Sequence, residues 1–380
     1  MQLNPILAAM GGYPLAEIQL RARTLRESGR PLIDFSIGDP REPTPDFIRE
    51  ALRQSVPAVS QYPTTAGLAE LRGAIAGYLD RRLGVTVDPD AQIIPTTGSK
   101  EGIFHTPLAF VEPGAGQGVV YGTPAYPVYE RGAQFAGAVL DPVRLDGDFV
   151  LRAPDISEES WDRARLVWSC SPHNPTGAVT TTSELADLLE RSRAAGALFL
   201  SDECYLDVYE DDPPGSVLEV AGPDLTGTLA FYSCSKRSGM TGYRSGAIIG
   251  DAEAIAALVA LRSSAGVAPP EFVQSAAVAA WSDDDHAAER RVIFAAKRAV
   301  LRKAFEELAL PVVASTAALY LWVAVADDMA VTTRLLERGV VVSPGRAFGS
   351  GGEGYIRLAL VPTLEECEQA VEVLVECFGS

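Results

Sequence analysis

The sequence predicts an α/β protein in which a mostly parallel sheet lies between helices, joined to a smaller α+β region. Short apolar runs rich in β-forming residues alternate with helical segments from about residue 91 to residue 250. Strands of a parallel sheet are covered on both faces, and so they are continuously apolar instead of alternating. The predicted strands are, in order, "AQIIPTT", "GVVYG", "GAVLDPV", "ARLVWSC", "ALFLSDE", "LAFYSCS" and "SGAIIG".

The segments on either side of this alternation have a different pattern. Upstream we predict helices at 14–28, 44–55 and 67–84, with a short strand in "PLIDFS". After about residue 250 long helices dominate, followed by strands in "LYLWVAV", "VVVSP" and "YIRLAL" and a last helix at 364–377. This change predicts two domains. Their limits are 40–265 for a large domain, and 1–39 together with 266–380 for a small one.

Composition excludes several classes of function. The chain has 380 residues, and its 50 acidic against 32 basic residues give a formal charge of −18, which repels nucleic acid and anionic membranes. Five cysteines without CxxC spacing and three histidines without paired-ligand spacing argue against a disulfide framework and a metal site. There is no signal-peptide pattern and no apolar run of the roughly 20 residues that a bilayer requires. We therefore expect a cytoplasmic protein with no nucleic-acid or membrane partner.

One lysine is unusual because the chain carries most of its positive charge on arginine. Lys236 lies in "FYSCSKRSGMTGYRSG" and is one of four lysines in a chain with 28 arginines. A lysine amine can lose its proton and react, whereas a guanidinium cannot. A solvated loop lysine is the simpler interpretation of this position taken alone. A reactive amine is the alternative.

Polar residues at the ends of two predicted strands favour the reactive amine. Asn174 in "SPHNPTG" follows the strand "ARLVWSC", where a plain turn is the alternative explanation. Asp202 in "FLSDECYLD" ends a buried strand, with Tyr205 three residues later. A carboxylate there requires a cationic partner unless it caps a helix.

Two further stretches suggest anion binding. "TTGSKEGIF" runs from a strand through Gly98 and Ser99 into a helix, and a helix start offers free N–H groups to an anion. Arg357 in "GYIRLAL" lies within an apolar strand. It is suited to bind a substrate carboxylate with two hydrogen bonds, although a structural ion pair is the alternative.

Together these stretches resemble the fold-type I pyridoxal-phosphate enzymes of the aminotransferase class I/II superfamily. The resemblance covers nearly the whole chain and implies the PLP-dependent transferase fold type I, with a seven-stranded sheet sandwiched by helices. The most specific part is S-x-S-K with an arginine eight residues later, downstream of NPTG and D-x-x-Y. The matching residues are Tyr62, Asn174, Asp202, Tyr205, Ser233, Lys236, Arg244 and Arg357.

The resemblance implies a role for each residue around the cofactor, pyridoxal 5′-phosphate. Lys236 would form a Schiff base with its aldehyde and later move the α-proton. Asp202 would pair with the pyridine nitrogen, and Asn174 and Tyr205 would hydrogen-bond the phenolic oxygen. The residues implied to bind the phosphate are Ser233, Ser235, Arg244 and the helix start at Gly98, Ser99 and Lys100.

The remaining implied contacts concern the ring, the substrate and a second subunit. Tyr126 would stack on the cofactor ring, and Tyr62 would reach the phosphate of the neighbouring subunit, which makes the protein a homodimer with shared active sites. Arg357 and the backbone at Gly38, with Asn174, would bind the substrate α-carboxylate. The reaction implied is ping-pong transfer between an amino acid and a 2-oxo acid.

The substrate is less narrowly defined. "DFSIGDPREPTPDFIREAL" and "SQYPTTAGLAELRGAIAGYL" are similar to N-succinyl-diaminopimelate aminotransferases, which act in lysine biosynthesis with glutamate as donor. "TTGSKEGIFHTPLAFVEPG" and "MTGYRSGAIIG" are as similar to LL-diaminopimelate aminotransferases. Aspartate or aromatic aminotransferases and a C–S lyase are the alternatives. Arg346 and Arg23 are candidates for a distal carboxylate, with ordinary ion pairs as the other interpretation.

Overall fold

The computed structural model describes residues 3–9 and 15–379. The α-helices are α1 (Pro5–Ala9), α2 (Ala16–Glu27), α3 (Asp46–Gln54), α4 (Ala69–Leu83), α5 (Ser99–Phe110), α6 (Val128–Phe135), α7 (Glu158–Arg163), α8 (Thr182–Ala194), α9 (Cys234–Arg237), α10 (Ala252–Ala265), α11 (Glu271–Trp281), α12 (Asp285–Glu307), α13 (Asp328–Glu337) and α14 (Leu364–Phe378). The strands are β1 (Ile33–Asp34), β2 (Ile93–Thr96), β3 (Gly118–Thr123), β4 (Val139–Arg144), β5 (Ala164–Cys170), β6 (Leu198–Asp202), β7 (Thr228–Ser233), β8 (Gly246–Gly250), β9 (Val312–Val313), β10 (Tyr320–Ala324), β11 (Val340–Val341), β12 (Ser343–Pro344) and β13 (Tyr355–Ala359).

The predicted α/β fold is confirmed, and all seven predicted strands lie in one sheet. Its order is β2-β8-β7-β6-β5-β3-β4. The pairs β3–β4, β3–β5, β5–β6 and β6–β7 are parallel, whereas β8 runs antiparallel to both β2 and β7. The carboxyl ends of β2, β3, β5, β6 and β7 therefore meet at one edge, and β8 begins at that same edge.

Local sequence explains where several of these helices begin. Helix α8 starts at a capping box, in which the Thr181 hydroxyl accepts from the Glu184 backbone N–H and the Glu184 carboxylate accepts from the Thr181 N–H. Helix α14 repeats this arrangement with Thr363 and Glu366. Each box satisfies two N–H groups that a helix start leaves without partners. The last helix begins at the predicted residue, 364.

A second, antiparallel sheet is built from the C-terminal part of the chain, in the order β12-β13-β10-β9. The N-terminal strand β1 pairs in parallel with β11, so the first segment joins the C-terminal one. Helix α11 contacts α3 and α4. The domain limits at residues 40 and 265 stay a prediction.

The buried apolar side chains form several separate clusters. One large cluster lies on a face of the seven-stranded sheet and includes Val167, Phe199 and Trp281, all almost fully buried. The antiparallel sheet packs against α12 and α14 through a second cluster that includes Leu301 and Leu374. No helix in the described part of the chain is both long and apolar enough to cross a bilayer.

Candidate active site

A cavity of about 610 Å³ lies at the carboxyl edge of the seven-stranded sheet, where the antiparallel sheet faces it. Most of the side chains predicted for a site line this cavity. They come from segments that are far apart in sequence but end at the same edge. The predicted residues that line it are Gly38, Ser99, Lys100, Tyr126, Asn174, Asp202, Tyr205, Ser233, Ser235, Lys236, Arg244 and Arg357.

Lys236 lies in the one-turn helix α9 directly after β7. The Ser233 hydroxyl accepts from the backbone N–H of Ser235 and so fixes the start of this turn. The Lys236 ammonium donates to the carbonyl of Gly38. Burial lowers the pKa of Lys236 to about 8, and Arg244 and Arg357 also lower it, while Asp39 opposes them. At neutral pH the amine is therefore far easier to deprotonate than an ordinary lysine.

Asp202 is the last residue of β6 and is 4% exposed. Its Oδ2 accepts from the Tyr129 hydroxyl at 2.6 Å, and its Oδ1 accepts from the Cys204 N–H at 3.2 Å. Among residues 3–9 and 15–379, no cation forms an ion pair with this carboxylate. Burial raises the pKa of Asp202, because the charged form has lost water without gaining a positive partner. The site thus holds an acid suited to a cationic group that enters the cavity.

Arg357 lies on β13, in the opposite wall, and is 5% exposed. Its Nη1 donates to Asn174 Oδ1 at 2.9 Å and its Nη2 donates to the Ser36 carbonyl at 2.7 Å. The guanidinium lies between the rings of Tyr320 and Phe348, with its central carbon 4.5 Å from each ring centre. Its Nε has no hydrogen-bond partner in the described part of the chain. A buried cation with free donors is suited to bind a carboxylate.

The other end of the cavity is built to receive an anion. Helix α5 starts at Ser99, and Gly98 precedes it with φ +81°. Arg244 reaches the same place from the start of β8 and has φ +57°, which is an uncommon conformation for a residue with a side chain. Glycine suits position 98 because its φ is one that residues with a side chain rarely adopt, and a Cβ there would also displace the Arg244 guanidinium. Backbone N–H groups and a guanidinium thus converge at one point.

Tyr126 and Lys100 lie beside this anion-binding end. The Lys100 ammonium is 6.0 Å from the centre of the Tyr126 ring, and this ring packs edge-on against Tyr129 at 5.8 Å. Burial lowers the pKa of Lys100, and the nearby Arg131 and Arg244 lower it further. Among the described residues, two arginines and two lysines line the cavity, namely Arg244, Arg357, Lys100 and Lys236.

Some predicted residues lie outside the cavity. Tyr62 is fully exposed, so its predicted contact with a second subunit stays a prediction. Gly98 lies behind the Arg244 guanidinium instead of lining the cavity. Arg346 forms a two-pronged ion pair with the buried Asp328, which matches the ordinary structural interpretation. Arg23 is exposed and does not line the cavity.

Sequence reasoning missed three side chains of the site. Tyr129 binds Asp202, and Tyr320 and Phe348 hold Arg357 between their rings. Tyr129 lies in the first turn of α6, but Tyr126 precedes that helix, so helical spacing does not connect the two residues. Tyr320 and Phe348 carried no local signal, since Tyr320 is part of the apolar run "LYLWVAV" and Phe348 lies in the glycine-rich stretch "SPGRAFGSGG".

Comparisons with known proteins agree with this geometry. The sequence model of the family described as aminotransferase class I and II matches residues 30–374. An LL-diaminopimelate aminotransferase of Nitratidesulfovibrio vulgaris is 36% identical over 377 residues, covering 96% of both chains. The solved structure of an aminotransferase from Neisseria meningitidis is 33% identical with a TM-score of 0.92, covering 99% of this chain and 100% of the other. A probable N-succinyldiaminopimelate aminotransferase from Thermus thermophilus is 28% identical with a TM-score of 0.90, covering 96% and 99%.

Proposed function

The chain belongs to the aminotransferase class I and II family and is a transaminase, and we propose that Lys236 is the residue that holds pyridoxal 5′-phosphate in the cavity. The observation that carries this proposal is the pairing of two groups in one cavity. Lys236 offers an amine with a pKa of about 8, and Asp202 offers a buried carboxylate that lacks a cationic partner. The cofactor supplies an aldehyde for the amine and a protonated ring nitrogen that draws electrons from the substrate Cα.

The rest of the cavity fits the same cofactor. The phosphate would bind at the start of α5 with Ser99, Ser233, Ser235 and Arg244, where donors already converge. Tyr126 would lie against the ring, and Lys100 would add positive charge near the phosphate. Asn174 and Tyr205 would bind the ring's phenolic oxygen.

The residues of this chain then act on the substrate. Arg357 binds the α-carboxylate through the N–H groups that the protein leaves free, with Asn174 and the backbone at Gly38 beside it. The carboxylate is thereby fixed at the end of the cavity opposite the phosphate. Lys236, released as a free amine, takes the α-proton on Nζ and later returns it. Its low pKa favours the neutral amine that this step requires.

For the substrate, we propose glutamate as amino donor and N-succinyl-diaminopimelate chemistry in lysine biosynthesis. The probable N-succinyldiaminopimelate aminotransferase from Thermus thermophilus supports this choice through its fold similarity. The LL-diaminopimelate aminotransferase of Nitratidesulfovibrio vulgaris supports the alternative, LL-diaminopimelate, through 36% identity over nearly the whole chain.

A half-reaction screen tests both the type of reaction and the substrate that we propose. The yellow holoenzyme is mixed with one amino acid at a time, and the loss of the visible absorbance is followed. Glutamate and one diaminopimelate derivative should react fastest, and aspartate and phenylalanine should be slow. Reaction with the last two alone would contradict the substrate, and release of pyruvate and ammonia from cysteine would indicate a lyase instead.

A second experiment tests the lysine itself. Borohydride reduction should leave a pyridoxyl mass on the peptide that contains Lys236. The Lys236→Ala variant should keep the fold and lose this mass, whereas Lys303→Ala, at an exposed lysine far from the cavity, should keep it. A modified peptide at any other lysine would overturn the assignment.

We also propose a cytoplasmic homodimer with shared sites. Tyr62 is fully exposed, as a residue that reaches into a neighbouring subunit must be before assembly. Mixing Tyr62→Ala subunits with Lys236→Ala subunits tests this directly. Each variant alone has no intact site, but a mixed dimer has one site with both residues, so activity should return on mixing. No recovery in mixed dimers would contradict the sharing of sites.

A further inference from the structure

Tyr320 lies between the residue proposed to bind the cofactor, Tyr205, and the residue proposed to bind the substrate carboxylate, Arg357. It begins β10, lines the cavity and is 2% exposed. Its hydroxyl lies 2.7 Å from the Tyr205 hydroxyl, and its ring lies under the Arg357 guanidinium at 4.5 Å. It thus contacts both the residue proposed to bind the cofactor's phenolic oxygen and the residue proposed to bind the substrate carboxylate. These contacts complete a closed circuit of four side chains, since Arg357 donates to Asn174 and Asn174 donates to Tyr205.

The contacts of Asn174 fix the direction of part of this circuit. Asn174 Oδ1 accepts from Arg357, which turns the amide nitrogen towards the Tyr205 hydroxyl at 3.5 Å. Tyr205 therefore accepts one hydrogen bond and has one proton to donate. Burial raises the pKa of both Tyr205 and Tyr320, so each phenol keeps its proton at neutral pH.

The bond between the two hydroxyls has two possible directions, and burial selects one. Within the described residues, Tyr205 is the hydrogen-bond partner of the Tyr320 hydroxyl. If Tyr205 donated to Tyr320, the Tyr320 proton, on the more buried hydroxyl, would have no acceptor among the described residues, which is costly. If Tyr320 donates, the Tyr205 proton is left to point into the cavity that also holds Lys236 and Asp202. The second direction places the unpaired proton on the less buried of the two hydroxyls, since Tyr205 is 8% exposed and Tyr320 is 2% exposed.

Gly38 keeps this arrangement in place. A Cβ at Gly38 would lie 2.7 Å from the Tyr320 hydroxyl, so only glycine allows the hydroxyl its position. The Gly38 carbonyl also accepts from Lys236. The same backbone position therefore limits the Tyr320 hydroxyl on one side and binds the reactive amine on the other.

We propose that Tyr320 is a positioning residue that donates to Tyr205, turns the Tyr205 hydroxyl proton towards the cofactor's phenolic oxygen, and holds Arg357 in line for the carboxylate. This inference rests on the proposed function. It assigns two separable tasks to one side chain, since the hydroxyl acts on Tyr205 and the ring acts on Arg357. Two substitutions can therefore separate them.

Tyr320→Phe removes the hydroxyl and keeps the ring. The phenolic oxygen of the bound cofactor should then be less well stabilised as an anion, so the pH midpoint of the visible absorbance should rise. A rise of roughly 0.4 to 1 pH unit corresponds to one neutral hydrogen bond. The dissociation constant of glutarate, a carboxylate that cannot react, should stay unchanged. Tyr320→Leu should raise the midpoint similarly and also weaken glutarate binding, because Arg357 loses the ring on one side.

A double-variant cycle makes the test specific. In a Tyr205→Phe background the Tyr320→Phe substitution should no longer move the midpoint, because its effect acts through Tyr205. Tyr232→Phe is the matched control: its buried hydroxyl donates to Glu203 outside the cavity, and the midpoint should stay unchanged.

Two outcomes would overturn the role of Tyr320: a wild-type midpoint in Tyr320→Phe, or an equal shift in the presence and absence of the Tyr205 hydroxyl. Thermal unfolding of each variant shows whether the fold is kept. A wild-type protein that binds no cofactor and shows no visible absorbance would instead contradict the proposed function itself, so the two failures are distinguishable.

Discussion

The Arg357→Lys substitution gives a quantitative test of the carboxylate site. A guanidinium has five N–H groups, and Arg357 uses one for Asn174 and one for the Ser36 carbonyl. Three N–H groups are thus left; the Nε–H is itself buried, so one N–H on Nη1 and one on Nη2 are those that a carboxylate in the cavity can reach. A carboxylate can accept two parallel hydrogen bonds from them, whereas a lysine ammonium offers a single point of charge. The loss of one charge-assisted hydrogen bond costs about 1.5–3 kcal/mol, or roughly 10- to 150-fold in affinity.

Calorimetric titration of the holoenzyme with glutarate measures this loss. Arg346→Lys is the matched control, because Arg346 binds the buried Asp328 with two prongs but does not line the cavity. We expect Arg346→Lys to lower stability and to leave the dissociation constant of glutarate unchanged. Wild-type affinity for glutarate in Arg357→Lys, or an equal loss of affinity in both variants, would refute the role of Arg357 in binding the carboxylate.

Three further predictions concern the cofactor end of the cavity. Asp202→Asn should weaken cofactor retention on dialysis, yet the cofactor-free variant should unfold at the same or a higher temperature near pH 7. The reason is that burial raises the folded-state pKa of Asp202, so stability from this group is present at low pH and is lost as the pH rises; a destabilised variant that keeps its cofactor would contradict this. Gly98→Ala should weaken cofactor affinity by about tenfold or more, because its Cβ would overlap the Arg244 guanidinium. Gly29→Ala is the control: Gly29 has a similar φ of +83° but no neighbour within 4 Å, so this variant should keep the wild-type affinity. In the cofactor-free protein, the rate at which Lys236 reacts with an amine-directed reagent should rise with pH and level off above about 8. The reason is that burial lowers the pKa of Lys236 to about 8, from the 10.5 of an ordinary lysine. A reaction rate that still increases at pH 10 would refute this.

Much of the fold could be predicted because the sheet has a strong local signature. Parallel strands buried on both faces are continuously apolar, and all seven were located from this property. The antiparallel direction of β8 could not be predicted, because it depends on how β8 pairs with β2 and β7 rather than on its own sequence.

The residues of the site likewise divide into those that the sequence could place and those that it could not. Asp202 ends β6, and Asn174 and Lys236 lie a few residues after β5 and β7, so sequence alone places them at one edge of the sheet. The contact between Tyr205 and Tyr320 joins residues 115 positions apart and exists only when the antiparallel sheet packs against the large one. Such contacts depend on tertiary packing and leave no mark in a local pattern.

The reversed direction of β8 has a consequence for how this chain can change in length. Because β8 runs back along β7, the segment 234–245 forms a hairpin turn that carries both Lys236 and Arg244. The distance between the Lys236 amine and the Arg244 guanidinium is therefore set by this one connecting segment. One residue added or removed between them would separate the two groups in space, whereas the exposed loop at 210–213 could lengthen without touching either. Insertions should be tolerated least at this hairpin, which makes its length as much a part of the site as its side chains.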